Sequence, residues 1–183
     1  MMEIELKARV RDRAAVEKRV ESFARFMRDF DKSDEYWHGP DWRFARGTKG
    51  FRLRKDGEKA LVTFKQKRND GGIEINRETE FEVSDAAGFE ALVQRIGCEP
   101  FYNKRKTGKA YDYDGCTVEL VCVDGLGDFI EIERLIEKDE PSEIALAQGS
   151  IRAILAMSGV PEGEIEGRSY SELILAKKNR TTG

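Results

Sequence analysis

Histidine occurs once in this 183-residue chain, at His38. A zinc centre built from several imidazoles is therefore excluded, and any metal must be a hard, oxygen-ligated cation such as Mg2+ or Mn2+. Cysteine is nearly as scarce. Cys98, Cys116 and Cys122 are odd in number and show no CxxC spacing, which predicts reduced, packed thiols in a cytoplasmic protein. No apolar run reaches the roughly 20 residues of a membrane-spanning helix, and no signal peptide precedes Glu3, so no membrane partner is expected. Charge of one sign is lacking too. The formal net charge is only −3, which argues against bulk electrostatic binding to nucleic acid. No repeat and no interdomain linker interrupt the chain, so residues 1–176 are expected to form one domain, with 177–183 as a flexible tail.

What the sequence has in quantity is charge in alternation. Charged residues make up 37% of the chain. In Glu3-Ile4-Glu5-Leu6-Lys7 the charges occupy every second position. Side chains on a strand alternate faces, so Glu3, Glu5 and Lys7 share one face and Ile4, Leu6, Ala8 and Val10 the other. Arg52-Leu53-Arg54 and Lys65-Gln66-Lys67 repeat the pattern in cations, and Glu78-Thr79-Glu80-Phe81-Glu82 and Glu131-Ile132-Glu133 repeat it in anions. Glu and Lys are poor strand residues. Five such runs predict a sheet whose charged faces converge.

The punctuation predicts how these runs connect. Residues 2–10 read as a strand, followed by a helix capped by Asp12 and running to about Phe26 on Val16, Val20 and Phe23. Residues 34–38 read as a short strand. Asp56-Gly57 joins the strands 50–54 and 59–67, Asn69 to Gly72 turns into the strand 73–83, and Asp114-Gly115 joins 101–114 to 116–124. Helices are expected at 85–96, from Pro141 to about Met157, and at 169–175, with a last strand at 129–136. Hairpins dominate, so the sheet is mainly antiparallel.

On an open sheet the charged faces would form solvated ladders, each pair contributing about 0–1 kcal/mol. In a closed barrel they would line a wet interior, with the apolar faces turned outward against the helices. Clustered carboxylates draw protons or a divalent cation. Arg-x-Arg and Lys-x-Lys ladders suit an extended polyphosphate, because guanidinium groups grip phosphate oxygens in pairs. Trp37, Trp42 and Phe44 are expected to pack in the core; the alternative is that they cover the mouth of such a tunnel or stack on a base.

The ordered set of these segments resembles the CYTH superfamily, which contains class IV adenylyl cyclases and thiamine triphosphatases. The resemblance rests on Glu3-x-Glu5-x-Lys7, Asp34-Glu35-Tyr36, Phe51-Arg52-Leu53-Arg54, Thr63-Phe64-Lys65, Arg77-Glu78-Thr79-Glu80, Gly125 through Glu133, and Ser169-Tyr170-Ser171-Glu172-Leu173. It implies an α+β fold: a closed, eight-stranded antiparallel β-barrel, the triphosphate tunnel, with a polar lumen and outer helices. By that analogy Glu3, Glu5, Glu131 and Glu133 hold Mg2+ or Mn2+. Lys7, Arg52, Arg54, Lys65 and a base from the run 103–109, with Lys104 and Lys106 as candidates, hold the triphosphate. Glu78 and Glu80 are further candidates for the triphosphate site; the alternative is that, with Glu82, they neutralise the tunnel. Tyr36 and Lys65 match a family pair that activates water.

The chain departs from the pattern at Val121, where the family usually carries an Asp; Glu119, on the same strand face, is the available substitute. Lys67 stands where Pro is common. The expected function is metal-dependent hydrolysis of a small-molecule triphosphate: tripolyphosphate, thiamine triphosphate or a nucleoside triphosphate. Alternatives are a class IV adenylyl cyclase, making cyclic AMP and pyrophosphate from ATP, and a non-catalytic polyphosphate or nucleotide binder. A monomer or homodimer is expected.

Overall fold

In the computed structural model, which describes residues 2–39 and 50–181, strand β1 (Met2–Arg9) starts the chain and leads into helix α1 (Arg13–Glu21). Strands β2 (Arg25–His38), β3 (Phe51–Asp56), β4 (Lys59–Asp70) and β5 (Ile73–Glu82) follow. Helix α2 (Ala86–Arg95) separates them from β6 (Glu99–Tyr113), β7 (Cys116–Val123) and β8 (Gly127–Ile136), and α3 (Pro141–Ser158) and α4 (Tyr170–Thr181) complete the chain. The strands close into a barrel in the order β1-β5-β4-β3-β2-β6-β7-β8, every neighbouring pair antiparallel. The α+β barrel expected from the resemblance is the one observed. Trp42 and Phe44 lie outside the described residues. No described helix is long and apolar enough to cross a membrane.

The barrel is inverted with respect to an ordinary β core. Met2, Ile4, Leu6 and Ala8 of β1 turn outward and are buried with Val16 and Val20 of α1 and Ile144, Ala147, Ile151 and Leu155 of α3. A second apolar layer, Leu53, Ala60 and Val62 with Phe89, lies between β3, β4 and α2. Cohesion therefore comes from the outer faces, where burial contributes about 25 cal/mol per Å2 of apolar surface. The inner faces are left for charge.

Three elements differ from the sequence reading. The first helix stops at Glu21, not near Phe26: Ser22 folds its hydroxyl onto the Arg19 carbonyl at 2.6 Å, and the chain re-enters the barrel at Arg25. The strand expected at 34–38 is the second half of a 14-residue strand. Its first half, Arg25–Asp29, is exposed on both faces, so it carries no apolar alternation to read. Pairing with β6, from Arg25 opposite Asp112 to His38 opposite Glu99, holds it in the sheet. Helix α4 likewise continues past Leu175 to Thr181. The Asp114-Gly115 turn is as expected; both residues adopt positive φ, 49° and 71°, the combination a two-residue hairpin loop demands.

Candidate active site

The pairing registers put one set of residues on the inner face of every strand. Glu5 stands opposite Glu133 and Glu74, Lys7 opposite Glu131, and Glu119 opposite Glu131. Asp34 stands opposite Arg54 and Lys104, and Lys65 opposite Glu78. The lumen they enclose has two connected chambers. The larger, about 610 Å3, is lined by Lys7, Tyr36, Thr63, Lys67, Glu74 and Lys104 and bordered by Tyr170 at the start of α4. The smaller, about 200 Å3, is lined by Glu3, Arg54, Glu78, Glu80, Glu119, Glu131 and Glu133. Glu5, Arg52, Lys65 and Lys106 line both and form the waist between them. Every residue expected from the sequence to hold metal or triphosphate or to activate water thus borders the lumen.

The basic run that the sequence left without a register is resolved by β2–β6 pairing. Lys104 and Lys106 point inward; Arg105 lies outside on Asp31 and Lys109 outside on Glu17. Lys106 places its ammonium 2.6 and 2.7 Å from the two oxygens of Glu131. Burial opposes ionisation of Glu131, but that ammonium outweighs it and holds the carboxyl well below the usual range. Lys65 lies 2.8 Å from Glu3 and also pairs with Glu78. Its burial is outweighed by the surrounding carboxylates, which push its pKa above the ordinary lysine value.

Glu5 and Glu133 differ from the other acids. Neither forms an ion pair or hydrogen bond with a described residue. Burial, then the charges of Glu3 and Glu131, raise Glu5 to about 7; burial, then Glu3 and Glu5, raise Glu133 to about 8. Two half-buried carboxylates directly opposite each other, both short of a counter-charge among the described residues, fit a hard divalent cation held by oxygen. No three acidic, histidine or cysteine side chains form a ready ligand set among the described residues. Glu3 and Glu131 are occupied by lysines, and Glu119 by Lys32 at 2.5 Å. On the cationic side, the buried Arg52 Nε has no partner among the described residues, an orphan donor facing a lumen suited to phosphate oxygens.

Tyr36 pairs with a different lysine from the one the resemblance implies. Its hydroxyl accepts a hydrogen bond from Lys104 Nζ at 3.0 Å, while Lys65 is engaged by Glu3 and Glu78. Burial works against a phenolate here, yet the charges of Lys104 and Arg52 outweigh it and lower Tyr36 to about 7.

Several inner residues carried no assignment from the sequence. Asp34 is fully buried, accepts from Arg54 at 2.7 and 3.0 Å and lies 3.1 Å from Lys104. Lys32 pairs with Glu119 over the Phe30 ring. Glu74 bridges Lys67 at 2.7 Å and Lys7 at 3.6 Å; burial resists its charge, but the two lysines win and bring it down to about 2. The signal for Lys32 and Asp34 was parity, since both share a face with Tyr36. Tyr170 inserts its ring among Lys7, Lys104 and Lys106, each ammonium 5.0–5.2 Å from its centroid.

The inner face is not charged throughout. Val121 is fully buried with Phe30, Ala110, Val123 and Phe129, and Tyr170 and Leu173 of α4 pack on this patch. Gly108 makes room for it: a Cβ there would meet the Leu120 carbonyl oxygen at 2.1 Å and the Phe30 ring at 3.0 Å. Val121 therefore serves an apolar floor at the α4 end of the barrel.

The chain resembles proteins of the same architecture along nearly its whole length. A relative in Methanocaldococcus jannaschii with a provisional adenylate cyclase name is 24% identical over 174 residues, covering 94% of this chain and 98% of its own. The structure of the PH1819 protein from Pyrococcus horikoshii superposes with a TM-score of 0.84 at 31% identity, over 96% of this chain and 99% of that one. A Hippeastrum protein with a provisional adenylyl cyclase name, described as revealing a dominant triphosphatase activity, shares the fold at a TM-score of 0.71 and 17% identity, over 96% and 95% of the two chains. The sequence model of the CYTH domain matches residues 1–170. With that match spanning the entire barrel, the chain belongs to the CYTH domain family.

Proposed function

We propose that the protein hydrolyses an anhydride bond of a small-molecule triphosphate with the help of a divalent cation, Mg2+ or Mn2+. The observation that carries this reading is the Tyr36–Lys104 pair facing a lumen with cations along one wall and, at its waist and inner chamber, two carboxylates unpartnered among the described residues. Lys7, Arg52, Lys65, Lys104 and Lys106 bind and orient the phosphate chain, and Arg54 stands in the inner chamber behind them. Glu5 and Glu133 would hold the cation, joined by Glu3 once Lys65 transfers to phosphate; Glu131 and Glu119 would join on release from Lys106 and Lys32. When bound, the cation supplies positive charge to phosphate oxygens as a Lewis acid.

The Tyr36 phenolate takes a proton from the attacking water, whose oxygen bonds to phosphorus as the anhydride P–O bond breaks. The leaving phosphate departs with the bonding pair. The neighbouring ammonium groups neutralise the charge spread over the equatorial oxygens. A base with a pKa near 7 is matched to work at neutral pH.

The test is phosphate release from tripolyphosphate, thiamine triphosphate and nucleoside triphosphates with each metal. Turnover of at least one is expected; turnover of none overturns the proposal. A second reading, cyclisation of ATP, is favoured by one feature. Tyr36 stacks on Tyr102 with ring centroids 4.3 Å apart, so the proposed base would have a second aromatic ring beside it in the larger chamber. Cyclic AMP and pyrophosphate among the products would establish it.

A further inference from the structure

We infer that Tyr170 is a positioning residue: its ring, carried in on α4, gathers Lys7, Lys104 and Lys106 into one phosphate-binding cluster. The inference rests on the proposal that the lumen holds a triphosphate, and it concerns how the chain prepares its cations. Lys7 lies on β1 and the other two on β6, and β7 and β8 stand between those strands in the barrel. No ladder of backbone hydrogen bonds therefore sets the spacing of Lys7 from Lys104 and Lys106. Each lysine has a carboxylate of its own, Glu74 for Lys7, Asp34 for Lys104 and Glu131 for Lys106. Those carboxylates sit on three different strands. The Tyr170 ring is what the three ammonium groups share, at 5.2, 5.0 and 5.0 Å from its centroid.

Three like charges around one point repel. The π-face of a ring carries negative potential and attracts ammonium groups, most strongly where water is excluded, and all three lysines are buried. The Tyr170 hydroxyl makes no hydrogen bond to them, so the contact is through the ring. The ring is in turn fixed from several sides. It meets Phe129 edge to face with centroids 5.1 Å apart, and Leu173, one turn along α4, packs on the same apolar patch. Ser169 and Glu172 cap one another across the first turn: Ser169 N donates to the Glu172 carboxylate at 2.7 Å, and Glu172 N to the Ser169 hydroxyl at 3.3 Å. Just upstream, Glu166 N donates to the Lys7 carbonyl at 2.8 Å, which ties this segment to the strand that carries Lys7. A lysine already held in place loses less freedom on meeting phosphate. The ring thus contributes to affinity through the lysines.

The test is the dissociation constant of tripolyphosphate, read by calorimetry on the full chain at fixed salt with divalent cation chelated. Tyr170→Leu is expected to bind about tenfold more weakly or worse, the scale of releasing several lysine side chains before binding. Tyr170→Phe, which keeps the ring, is expected to stay within about threefold of the wild type. Tyr170→pentafluorophenylalanine reverses the polarity of the π-face at nearly constant shape, and it is expected to bind about as weakly as the leucine variant. A role in filling space would not produce that loss. Should Tyr170→Leu fail to fold, the phenylalanine and pentafluorophenylalanine proteins decide the matter alone. Equal affinity of those two, a phenylalanine variant as weak as the leucine one, or unchanged binding by Tyr170→Leu overturns the inference, as does a wild type that binds no tripolyphosphate. Because binding is read without turnover, a protein that hydrolyses nothing yet shows this pattern sinks the proposed activity alone; one that hydrolyses a triphosphate with equal affinity in every variant sinks the positioning role alone.

Discussion

Lys104 donates to the Tyr36 hydroxyl at 3.0 Å and lies 5.3 Å from the centre of the same ring. One ammonium thus holds the tyrosine's proton equilibrium and its position together. With Tyr36 lowered to about 7, the deprotonated, active form grows as pH rises, so turnover is expected to climb through neutrality and level off above pH 8. Tyr36→Phe is expected to lower kcat by about 10²-fold or more with little effect on binding. Lys104→Met is expected to move the acidic limb of the pH–rate profile more than one unit upward, because burial alone raises a phenol. A limb that stays in place would assign the titration to another group.

Asp34 is the hub beneath that pair. It balances Arg54, Lys104 and, at 3.9 Å, Arg52, with no side-chain exposure of its own. Asp34→Asn is expected to leave buried cations uncompensated and to destabilise the protein by about 3–5 kcal/mol. Chemical denaturation of the two proteins measures this, and a loss under about 1 kcal/mol would show that the cations find other partners.

Glu5 and Glu133 bear on stability in the opposite sense. Both are raised above the ordinary carboxylate value, so between about pH 4.5 and 8 the folded chain binds protons that the unfolded chain does not. The stability these two groups contribute then falls as pH rises through that window when divalent cation is chelated, opposed above about pH 6 by the lowered Tyr36. Glu5→Gln is expected to flatten this slope, to raise the chelated protein's Tm at pH 8 by about 3 °C, and to abolish the stabilisation that added Mg2+ or Mn2+ gives the wild type. Thermal melts with and without chelator decide it; a metal-induced rise in Tm that survives the substitution removes Glu5 from the ligand set.

Val121→Asp tests the apolar floor. The new carboxylate would be buried among Phe30 and Phe129 with full loss of hydration, at an expected cost of about 3 kcal/mol or more. A variant as stable as the parent and holding an additional metal ion would show that the floor adapts readily to charge.

Much of this molecule was legible in one strand's alternation. Glu3, Glu5 and Lys7 against Ile4, Leu6 and Ala8 already define an inward polar and an outward apolar face, and the same parity located Arg52, Arg54, Lys65, Glu131 and Glu133. Elsewhere local pattern failed for physical reasons. The first half of β2 is wet on both sides, so only its pairing with β6 makes it a strand. Lys104, Arg105 and Lys106 are consecutive cations, and no alternation tells inward from outward until the barrel fixes the register. Which lysine serves Tyr36 is a matter of neighbours across β2 and β6, information that spacing along the chain does not contain. Tyr170 reaches the lumen from a helix far along the sequence, where strand parity has nothing to say.

Because reactivity and adhesion occupy opposite sides of the same staves, the turns between them act as guardians of both. Slippage by a single position in β1 or β8 would press glutamates into the greasy contact with α1 and α3 and drop isoleucines into the charge-lined bore. Such a misthreaded species would be inert and sticky at once. The short loop at Asp114-Gly115, which sets the register of β6 against β7, is by the same reasoning a place where a lengthening insertion should extinguish turnover and solubility together.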